Sequence, residues 1–325
     1  MILDNFALTM GQTCPAKFDL RLNQGWQPRR KSGALGFGAC LHEGLAAWYK
    51  TRNIGEALMA IKNSWPENAP PDDWRTLEKC VNVMIEYAKM YQQENFTILG
   101  APENPLIENH FCLDTGFFMP ICGKVVIDDQ KRRVWVPGCD YEHDTFSPRT
   151  IGTCDNCGQP LDPLEYGGIF DGIVEASGRH YILEHKTTSQ LGSYYFEQYK
   201  PNNQVTGYIW AARALSGQPV GGAIINAIGL YKASPTKFVR QITTRTDAEL
   251  EAWKINLWHE AVVLQRFYRD GVWPQRTSAC TLYGRCEFHS VHVLSNPLEQ
   301  SRLLEQDYLR EQWDFVRRDE GANNG

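Results

Sequence analysis

The stretch IFDGIVEASGRHYILEHKTT, residues 169–188, decides the fold. Two apolar runs in it are separated by Ser177-Gly178, a dipeptide that is typical of tight turns. The pattern predicts two antiparallel β-strands, over 168–175 and 180–186, joined by a two-residue loop. The second strand ends in charged residues, and buried charges are costly when they have no partner.

The register of this hairpin places two acids across from each other. The residue numbers of each pair must add up to 355, so Ile173 lies opposite Ile182, and Asp171 lies opposite Glu184. Side chains alternate along a strand, so Lys186 shares a face with both acids. Because directly opposed carboxylates repel each other across a sheet, we expect a positive group between them.

A divalent cation would satisfy this expectation. Mg²⁺ and Mn²⁺ suit paired oxygen ligands, and phosphate groups often complete their coordination. Lys186, two residues after Glu184, could then position or activate a water beside the ion. The alternative is a solvated strand end that carries an ordinary ion pair between Glu184 and Lys186.

The elements around the hairpin follow from hydrophobic periodicity. The sequence predicts helices over 33–65, 72–95, 193–215, 247–271 and 296–318, of which 247–271 is a capped amphipathic helix. It predicts strands or strand-like segments over 104–117, 221–231 and 237–244. We therefore predict an α/β fold with a central mixed β-sheet flanked by helices. Residues 1–121 are predicted to be an N-terminal helical region with the first core strand, and residues 122–160 a cysteine-rich insertion. Residues 161–270 are predicted to be the catalytic core, and residues 271–325 a C-terminal metal segment.

Composition limits the kind of protein. The chain has 325 residues, of which 42% are hydrophobic, and this is enough for a sizeable core. The net charge of −5 argues against a generic polyanion binder, although 33 lysines and arginines leave room for a local basic groove. No signal peptide and no membrane-spanning run is evident, so we expect a cytoplasmic protein without a membrane partner, in the host cytoplasm if the gene is viral.

Three motifs of this chain resemble motifs of the PD-(D/E)xK nuclease superfamily. They are similar in particular to its RecB-like branch, which contains CRISPR-adaptation nucleases and phage exonucleases. The first is Asp171 followed by Glu-His-Lys at 184–186. The segment GFGACLHEGLAAWY is similar to the N-terminal helix of that branch, whose histidine is a metal ligand, here His42. The segment QVTGY resembles its Gln-x-x-x-Tyr helix, here Gln204 and Tyr208, which an i,i+4 spacing puts on one face.

The resemblance implies a restriction-endonuclease-like core and a metal-dependent mechanism. His42, Asp171, Glu184 and the backbone carbonyl of His185 would hold Mg²⁺ or Mn²⁺, which activates water and the scissile phosphate. Lys186 would stabilise the forming hydroxide and the charge of the transition state. Because His185 contributes its carbonyl, we expect its side chain to matter less than those of its neighbours.

Three further residues have implied roles near this centre. Gln204 and Tyr208 would contact the nucleotide backbone together and are counted with the catalytic residues. Glu108, at the start of a predicted strand, is either a helper acid, as similar glutamates are in some relatives, or a surface charge.

Ten cysteines suggest metal sites, since clustered cysteines in a reducing compartment bind metal more often than they form disulfides. The segments around Cys14, Cys280 and Cys286 resemble the elements that hold a [4Fe–4S] cluster in the same branch. Where the branch commonly has a fourth cysteine, this chain has His292, with His289 as a nearby substitute. A Cys₃His set can hold an iron–sulfur cluster or zinc.

A second cysteine set lies in the insertion, which we expect to have little regular structure. Cys154-x₂-Cys157 followed by glycine is typical of a zinc-binding turn, and Cys139 and His143 would complete a structural zinc site. Cys122 competes with His143 for the fourth place. A polar insertion with few core residues needs such a metal for its stability.

The leading hypothesis is a metal-dependent DNA exonuclease that acts in phage or mobile-element recombination or end processing. Its expected partners are single-stranded or end-bearing duplex DNA and a recombination protein. A catalytically inactive DNA-binding or adaptor protein on the same fold is the alternative. A third hypothesis is a zinc-bearing accessory protein whose insertion binds a protein partner.

Overall fold

The structure is a computed structural model, and it describes residues 1–29, 33–66, 69, 73–282 and 284–313. The described residues form two compact units. The first, which contains the strand pair that opened the sequence analysis, is called the hairpin unit and comprises residues 33–66, 69, 73–111 and 169–250. The second is called the cysteine unit and comprises residues 1–29, 112–168, 251–282 and 284–313. The segment boundaries predicted from the sequence stay predictions.

The helices and strands follow in chain order. The described helices are α1 Asn5–Thr13, α2 Pro15–Phe18, α3 Gly33–Thr51, α4 Ile54–Ser64, α5 Leu77–Met90, α6 Asn203–Ser216, α7 Asp247–Asp270, α8 His289–His292 and α9 Pro297–Asp307. One π-helical turn and two 3₁₀ turns lie at Asp19–Asn23, Tyr195–Tyr199 and Thr277–Cys280. The described strands are β1 Ile2–Asp4, β2 Trp26–Pro28, β3 Thr97–Ile98, β4 Gly100–Ala101, β5 Asn104–Pro105, β6 Ile107–Phe118, β7 Ile121–Ile127, β8 Arg133–Glu142, β9 Pro163–Ala176, β10 Arg179–Thr188, β11 Val220–Gly229, β12 Lys237–Thr243 and β13 Tyr308–Arg310.

Strands β9 and β10 form the predicted hairpin. Ile182 pairs with Ile173 and Leu183 with Gly172, so the predicted register is confirmed. The two loop residues, Ser177 and Gly178, have φ angles of 50° and 71°. Positive φ at both loop positions matches the right-handed twist of the strands, which is why this turn closes short hairpins.

The sheet of the hairpin unit is mixed. Strand β10 pairs antiparallel with β9 and parallel with β11, and β11 pairs antiparallel with β12. The α3, α4 and α5 helices form an apolar core with one face of the sheet, which includes Tyr181 and Leu183 of β10. Helix α6 packs on β10 and β11. The predicted α/β fold, with a mixed sheet flanked by helices, is confirmed.

Helix α3 lies very close to β10. A Cβ atom at Gly38 would come within 3.3 Å of the Thr187 hydroxyl oxygen, closer than a side-chain carbon normally sits. Only a residue without a side chain fits there without a shift. One helical turn further on, α3 carries His42, so this close approach brings that histidine to the sheet.

Two predicted helices are shorter than expected. The predicted helix 193–215 is a 3₁₀ turn followed by α6, because Pro201 cannot continue a helix, and Asn202 caps α6 by accepting from Val205 N. The predicted terminal helix ends at Asp307, and the next residues form β13, which pairs with β2. Residues 314–318 of that prediction lie outside the described residues.

The cysteine-rich insertion contains regular structure, so that expectation was wrong. Strands β7 and β8 pair antiparallel over most of 121–142, within the cysteine unit. Two short runs rich in β-branched residues, KVVI and RVWV, flank a polar turn, and such runs favour strands even when the wider segment is polar. No helix among the described residues has the length and apolar character needed to cross a membrane.

Candidate functional site

Asp171 lies at the middle of the candidate site, on β9 in the hairpin unit. Its Oδ2 atom accepts a hydrogen bond of 2.6 Å from the backbone N–H of His185, and its Oδ1 atom lies 3.3 Å from Nδ1 of His42. Burial alone would raise the pKa of Asp171, but His42 outweighs it and holds the pKa well below its usual range. Burial likewise opposes the charge of His42, yet Asp171 raises the pKa of that histidine to about 9.

Glu108 is the third member of the cluster. One ligand atom each of His42, Glu108 and Asp171 lie within 4.8 Å of one another. Glu108 has a φ of 54°, which costs a non-glycine residue about 1–3 kcal/mol and is tolerated mainly where it serves function. Burial, with a contribution from Asp171, raises its pKa to about 8. The geometry favours the helper-acid interpretation over a surface charge.

Glu184 is almost completely buried beside this cluster. Its Oε1 atom lies 2.5 Å from Nζ of Lys186, whereas its Oε2 atom is buried and makes no hydrogen bond to any described residue. Burial raises the pKa of Glu184 to about 7, although Lys186 opposes the shift. A buried carboxylate oxygen without a partner is costly, and a cation would remove that cost.

Lys186 is held by two side chains. Besides Glu184, its ammonium contacts Oε1 of Gln204 on α6 at 2.9 Å. Burial would lower the pKa of Lys186, but Glu184 outweighs it and raises that pKa, so the ammonium stays charged. Tyr208, one helical turn after Gln204, is buried edge-on against Phe111 and Phe170. The structure therefore brings the predicted catalytic residues together in one unit.

These residues fit a hard divalent cation. The converging donors are the carboxylates of Glu108 and Asp171 and the imidazole of His42, with the Glu184 carboxylate outside that group, and carboxylate oxygens are the ligands that Mg²⁺ and Mn²⁺ prefer. The buried Oε2 atom of Glu184, which has no hydrogen-bond partner among the described residues, is the observation that fits such a cation most directly. For His185 the structure shows the backbone N–H against Asp171, and the role of its carbonyl stays a prediction.

The side chain of His185 has close contacts that the sequence did not indicate, and the expectation that it matters less than its neighbours stays a prediction. It is 3% exposed, stacks on Tyr49 with ring centres 5.6 Å apart, and its Nδ1 lies 2.7 Å from Nδ2 of Asn226. Sequence reasoning missed this contact. The available signal was Asn226 itself, a lone amide within the apolar run AIINAIG of β11, because a buried polar group needs a partner.

The insertion carries a compact thiol group within the cysteine unit. The sulfurs of Cys122 and Cys157 lie 3.6 Å apart, as do those of Cys139 and Cys154, and all four lie within 4.8 Å. Four thiolates that bind one zinc ion at ~2.3 Å would be separated by ~3.8 Å, so the spacing fits a single tetrahedral ion. A hydrogen bond from Asn156 leads the effects that lower the pKa of Cys139 to about 6.

The fourth member of this group is Cys122, and His143 is outside it. Nδ1 of His143 instead lies 3.1 Å from Oδ2 of Asp155. The predicted set of Cys139, His143, Cys154 and Cys157 is thus corrected in one member. The reason is the β7–β8 pairing, which brings residues 122 and 139 together across the strands.

The terminal set is not brought together in the same way. Among the described residues, Cys14, Cys280, Cys286 and His292 do not form a group with ligand atoms within 4.8 Å. Cys280 and Cys286 are joined through a backbone hydrogen bond of 2.8 Å, and Nδ1 of His289 is buried without a hydrogen-bond partner. A four-iron cluster spaces its ligands more widely than one ion does, so the iron–sulfur prediction stays open.

The sheet and its buried cluster of acids, histidine and lysine define the class of a PD-(D/E)xK-type nuclease fold. The sequence profile described as the PD-(D/E)XK nuclease superfamily matches residues 7–291. The chain belongs to this superfamily, and the assignment made from the motifs is confirmed.

Two solved structures can be compared with the chain. A crystal structure from Eubacterium rectale, of a protein named provisionally as an exonuclease, has a TM-score of 0.49 and 12% identity over 91% of this chain and 90% of that one. The crystal structure of SSO0001 has a TM-score of 0.28 and 11% identity over 82% of this chain and 95% of that one. These similarities are too low to add to the fold assignment. A search of curated proteins found no match.

Proposed function

We propose that the protein is a Mg²⁺- or Mn²⁺-dependent deoxyribonuclease that hydrolyses phosphodiester bonds. One observation carries the proposal: His42, Glu108 and Asp171 converge within 4.8 Å beside Glu184, whose buried Oε2 atom has no partner among the described residues. An ordinary structural ion pair would leave no carboxylate oxygen unsatisfied. A centre that binds a cation explains both the convergence of the three ligand atoms and the Glu184 oxygen that has no partner.

The residues of the site have two roles in hydrolysis, which are to bind the cation and to act on the substrate. His42, Asp171, Glu184, Glu108 and the His185 carbonyl would hold the cation. When bound, Mg²⁺ or Mn²⁺ supplies Lewis-acid stabilisation of the phosphate and lowers the pKa of a nearby water.

The remaining polar side chains act on the substrate. Lys186 is fixed by Glu184 and Gln204, so its charge is already oriented before DNA binds. Such a preorganised charge stabilises the transition state without reorganisation. Gln204 orients Lys186 and shares a hydrogen bond with Tyr208, and these two residues are the proposed contacts to the nucleotide backbone.

Removing the Lys186 ammonium tests this function. We expect Lys186→Ala to lower the Mn²⁺-dependent cleavage rate by about 100-fold or more, because the loss of one preorganised charge typically has that effect. Lys62→Ala, on the exposed face of α4, is the matched control and should cleave normally. Equal rates for Lys186→Ala and the wild type would contradict a nuclease centre at these residues, and Mn²⁺ binding without any cleavage would instead support an inactive DNA-binding protein.

Exonuclease action is the more specific part of the proposal. It rests on the resemblance of the His42 helix and the Gln204–Tyr208 helix to the RecB-like branch. End-labelled linear DNA and closed circular DNA, in single- and double-stranded form, separate the possibilities. An exonuclease degrades only the linear forms, and cleavage of closed circles at the same rate would show an endonuclease.

The cysteine sites are proposed to have structural roles. The spacing of Cys122, Cys139, Cys154 and Cys157 supports a single Zn²⁺. For Cys14, Cys280, Cys286 and a histidine, the sequence resemblance supports a [4Fe–4S] cluster, and zinc is the alternative there. Metal analysis after anaerobic purification distinguishes them, because an iron–sulfur cluster gives visible absorbance with matching iron and sulfide, whereas zinc gives neither.

The proposal also includes a substrate, a partner protein and a cellular compartment. DNA is the substrate, and a recombination protein of a phage or mobile element is the proposed partner. None of the ten cysteines, all of which are among the described residues, is in a disulfide, and the proposed compartment is the reducing cytoplasm, where clustered cysteines bind metal.

A further inference from the structure

A buried polar network lies behind the acids of the hairpin unit. Arg240 on β12 forms an ion pair of 2.5 Å with Glu94, and its Nε atom donates to Oδ1 of Asn226 at 3.1 Å. Asn226 is fully buried on β11. The hydroxyl groups of Tyr49 and Tyr87 accept further hydrogen bonds from the Arg240 guanidinium.

The directions of these hydrogen bonds are fixed by chemistry. A guanidinium can only donate, so Arg240 forces the Asn226 amide to turn its oxygen towards it. The amide nitrogen of Asn226 then faces His185 and donates to Nδ1 of that ring, 2.7 Å away. Because Nδ1 accepts, the proton of a neutral His185 must be on Nε2.

The network ends at the candidate metal ligands. The backbone N–H of His185 donates to Oδ2 of Asp171, and the other oxygen of that acid faces His42. The ring of His185 also lies edge-on to the ring of His42, with centres 5.8 Å apart. A continuous chain of contacts therefore runs from Glu94 through Arg240, Asn226 and His185 to Asp171.

A purely structural role explains this network poorly. Buried ion pairs contribute little net stability, because desolvation costs about as much as the pairing returns, and apolar side chains of similar volume often serve equally well. The same core contains many apolar side chains, so polar groups are not needed to fill it. What apolar groups cannot supply is a directed donor to His185.

We propose that Asn226, oriented by Arg240 and Glu94, is a positioning residue that sets the tautomer and place of His185 and thereby the place of Asp171. The inference rests on the proposed function in that Asp171 is taken as a ligand of the catalytic cation. Partners of this kind, one step behind metal ligands, commonly change metal affinity or activity 10- to 100-fold when they are altered.

Asn226→Asp tests the proposal with little change of shape. A carboxylate keeps an acceptor for Arg240, and adds an opposite charge, but it cannot donate to His185. We expect the His185 proton to move to Nδ1, as seen in the ¹⁵N shifts of the imidazole in metal-free protein. We also expect Mn²⁺ affinity to fall at least about tenfold while the thermal unfolding midpoint is retained. Gln241→Glu, the same type of change at an exposed position next to Arg240, is the control and should leave both unchanged.

A second pair of variants keeps the test decisive if Asn226→Asp does not fold. His185→Asn keeps an acceptor near the Nδ1 position, and His185→Leu has none. We expect His185→Asn to retain most of the Mn²⁺ affinity of the wild type and His185→Leu to lose it. Wild-type affinity in Asn226→Asp or in His185→Leu would overturn the proposal. Failure of the wild type to cleave DNA would count only against the nuclease, because affinity and tautomer are measured without substrate.

Discussion

At the scale of single residues, the candidate centre is a balance of opposed charges. Asp171 is held ionised by His42, whereas the pKa values of Glu108 and Glu184 are raised, first by burial. Without a cation, the site therefore keeps protons that a bound ion would have to displace. Metal binding is coupled to proton release wherever ligands must be neutral imidazole or ionised carboxylate.

The apparent affinity for Mn²⁺ should rise with pH. His42 has a pKa of about 9, Glu108 of about 8 and Glu184 of about 7, and each must lose its proton to bind the ion. For all three groups the raised pKa favours the metal-free fold at low pH, and that contribution is lost as pH rises towards 9. Calorimetric titration in buffers of different ionisation enthalpy measures both affinity and released protons. Constant affinity from pH 6 to 9 would contradict the cluster as ligand set.

At the scale of secondary-structure elements, the β9–β10 hairpin carries the site. Its register followed from the turn dipeptide alone, and the structure reproduces it from the Arg179–Ala176 pair to the Leu183–Gly172 pair. Both loop residues have positive φ, yet only the second is glycine. Ser177 is therefore the less favourable residue of the turn.

Two substitutions in this turn should change stability in opposite directions. Ser177→Asn should stabilise the fold by about 0.5 kcal/mol, because asparagine tolerates positive φ better than serine. Gly178→Ala should destabilise it by about 1 kcal/mol, because a Cβ atom is strained at that φ even though space is open. Urea unfolding of the two variants and the wild type measures both changes. A stabilising alanine would show that the turn is not of this type.

Prediction from sequence succeeded where the determining residues are close in the chain. The hairpin register depends on two adjacent residues, and the mixed α/β class on local periodicity. The His185 network was not predicted, because Glu94, Asn226 and Arg240 come from separate elements and each is unremarkable alone. The fourth thiol was left open for a similar reason, since choosing Cys122 over His143 required the β7–β8 pairing.

At the scale of the whole molecule, the two candidate metal sites among the described residues have different kinds of ligand. The oxygen-rich cluster lies in the hairpin unit, and the compact thiol group lies in the cysteine unit. Soft thiolates select zinc, whereas carboxylates select Mg²⁺ and Mn²⁺. We therefore expect Mg²⁺ and Mn²⁺ not to compete with zinc for the thiol group.

Zinc content should depend on Cys122 and not on His143. Cys122→Ser removes one of four thiolates and should lower the zinc retained during dialysis at least about tenfold. His143→Asn removes the contacts of the imidazole with Asp155 and Tyr141, which are not part of the thiol group, and should keep one zinc per chain from this site. Zinc analysis of both purified variants, compared with the wild type, decides the point. Loss of zinc in His143→Asn alone would restore the Cys₃His set.

The close approach of α3 to β10 at Gly38 has a consequence for ion selectivity. Mg²⁺ takes oxygen ligands at 2.0–2.1 Å and Ca²⁺ at 2.3–2.6 Å, so the ligand distances of the two ions differ by a few tenths of an ångström. A methyl group at position 38 would lie 3.3 Å from the Thr187 hydroxyl oxygen, so either that side chain or the helix that carries His42 would have to move by a few tenths of an ångström. We infer that Gly38, by allowing this close approach, favours a small ion such as Mg²⁺ at the centre.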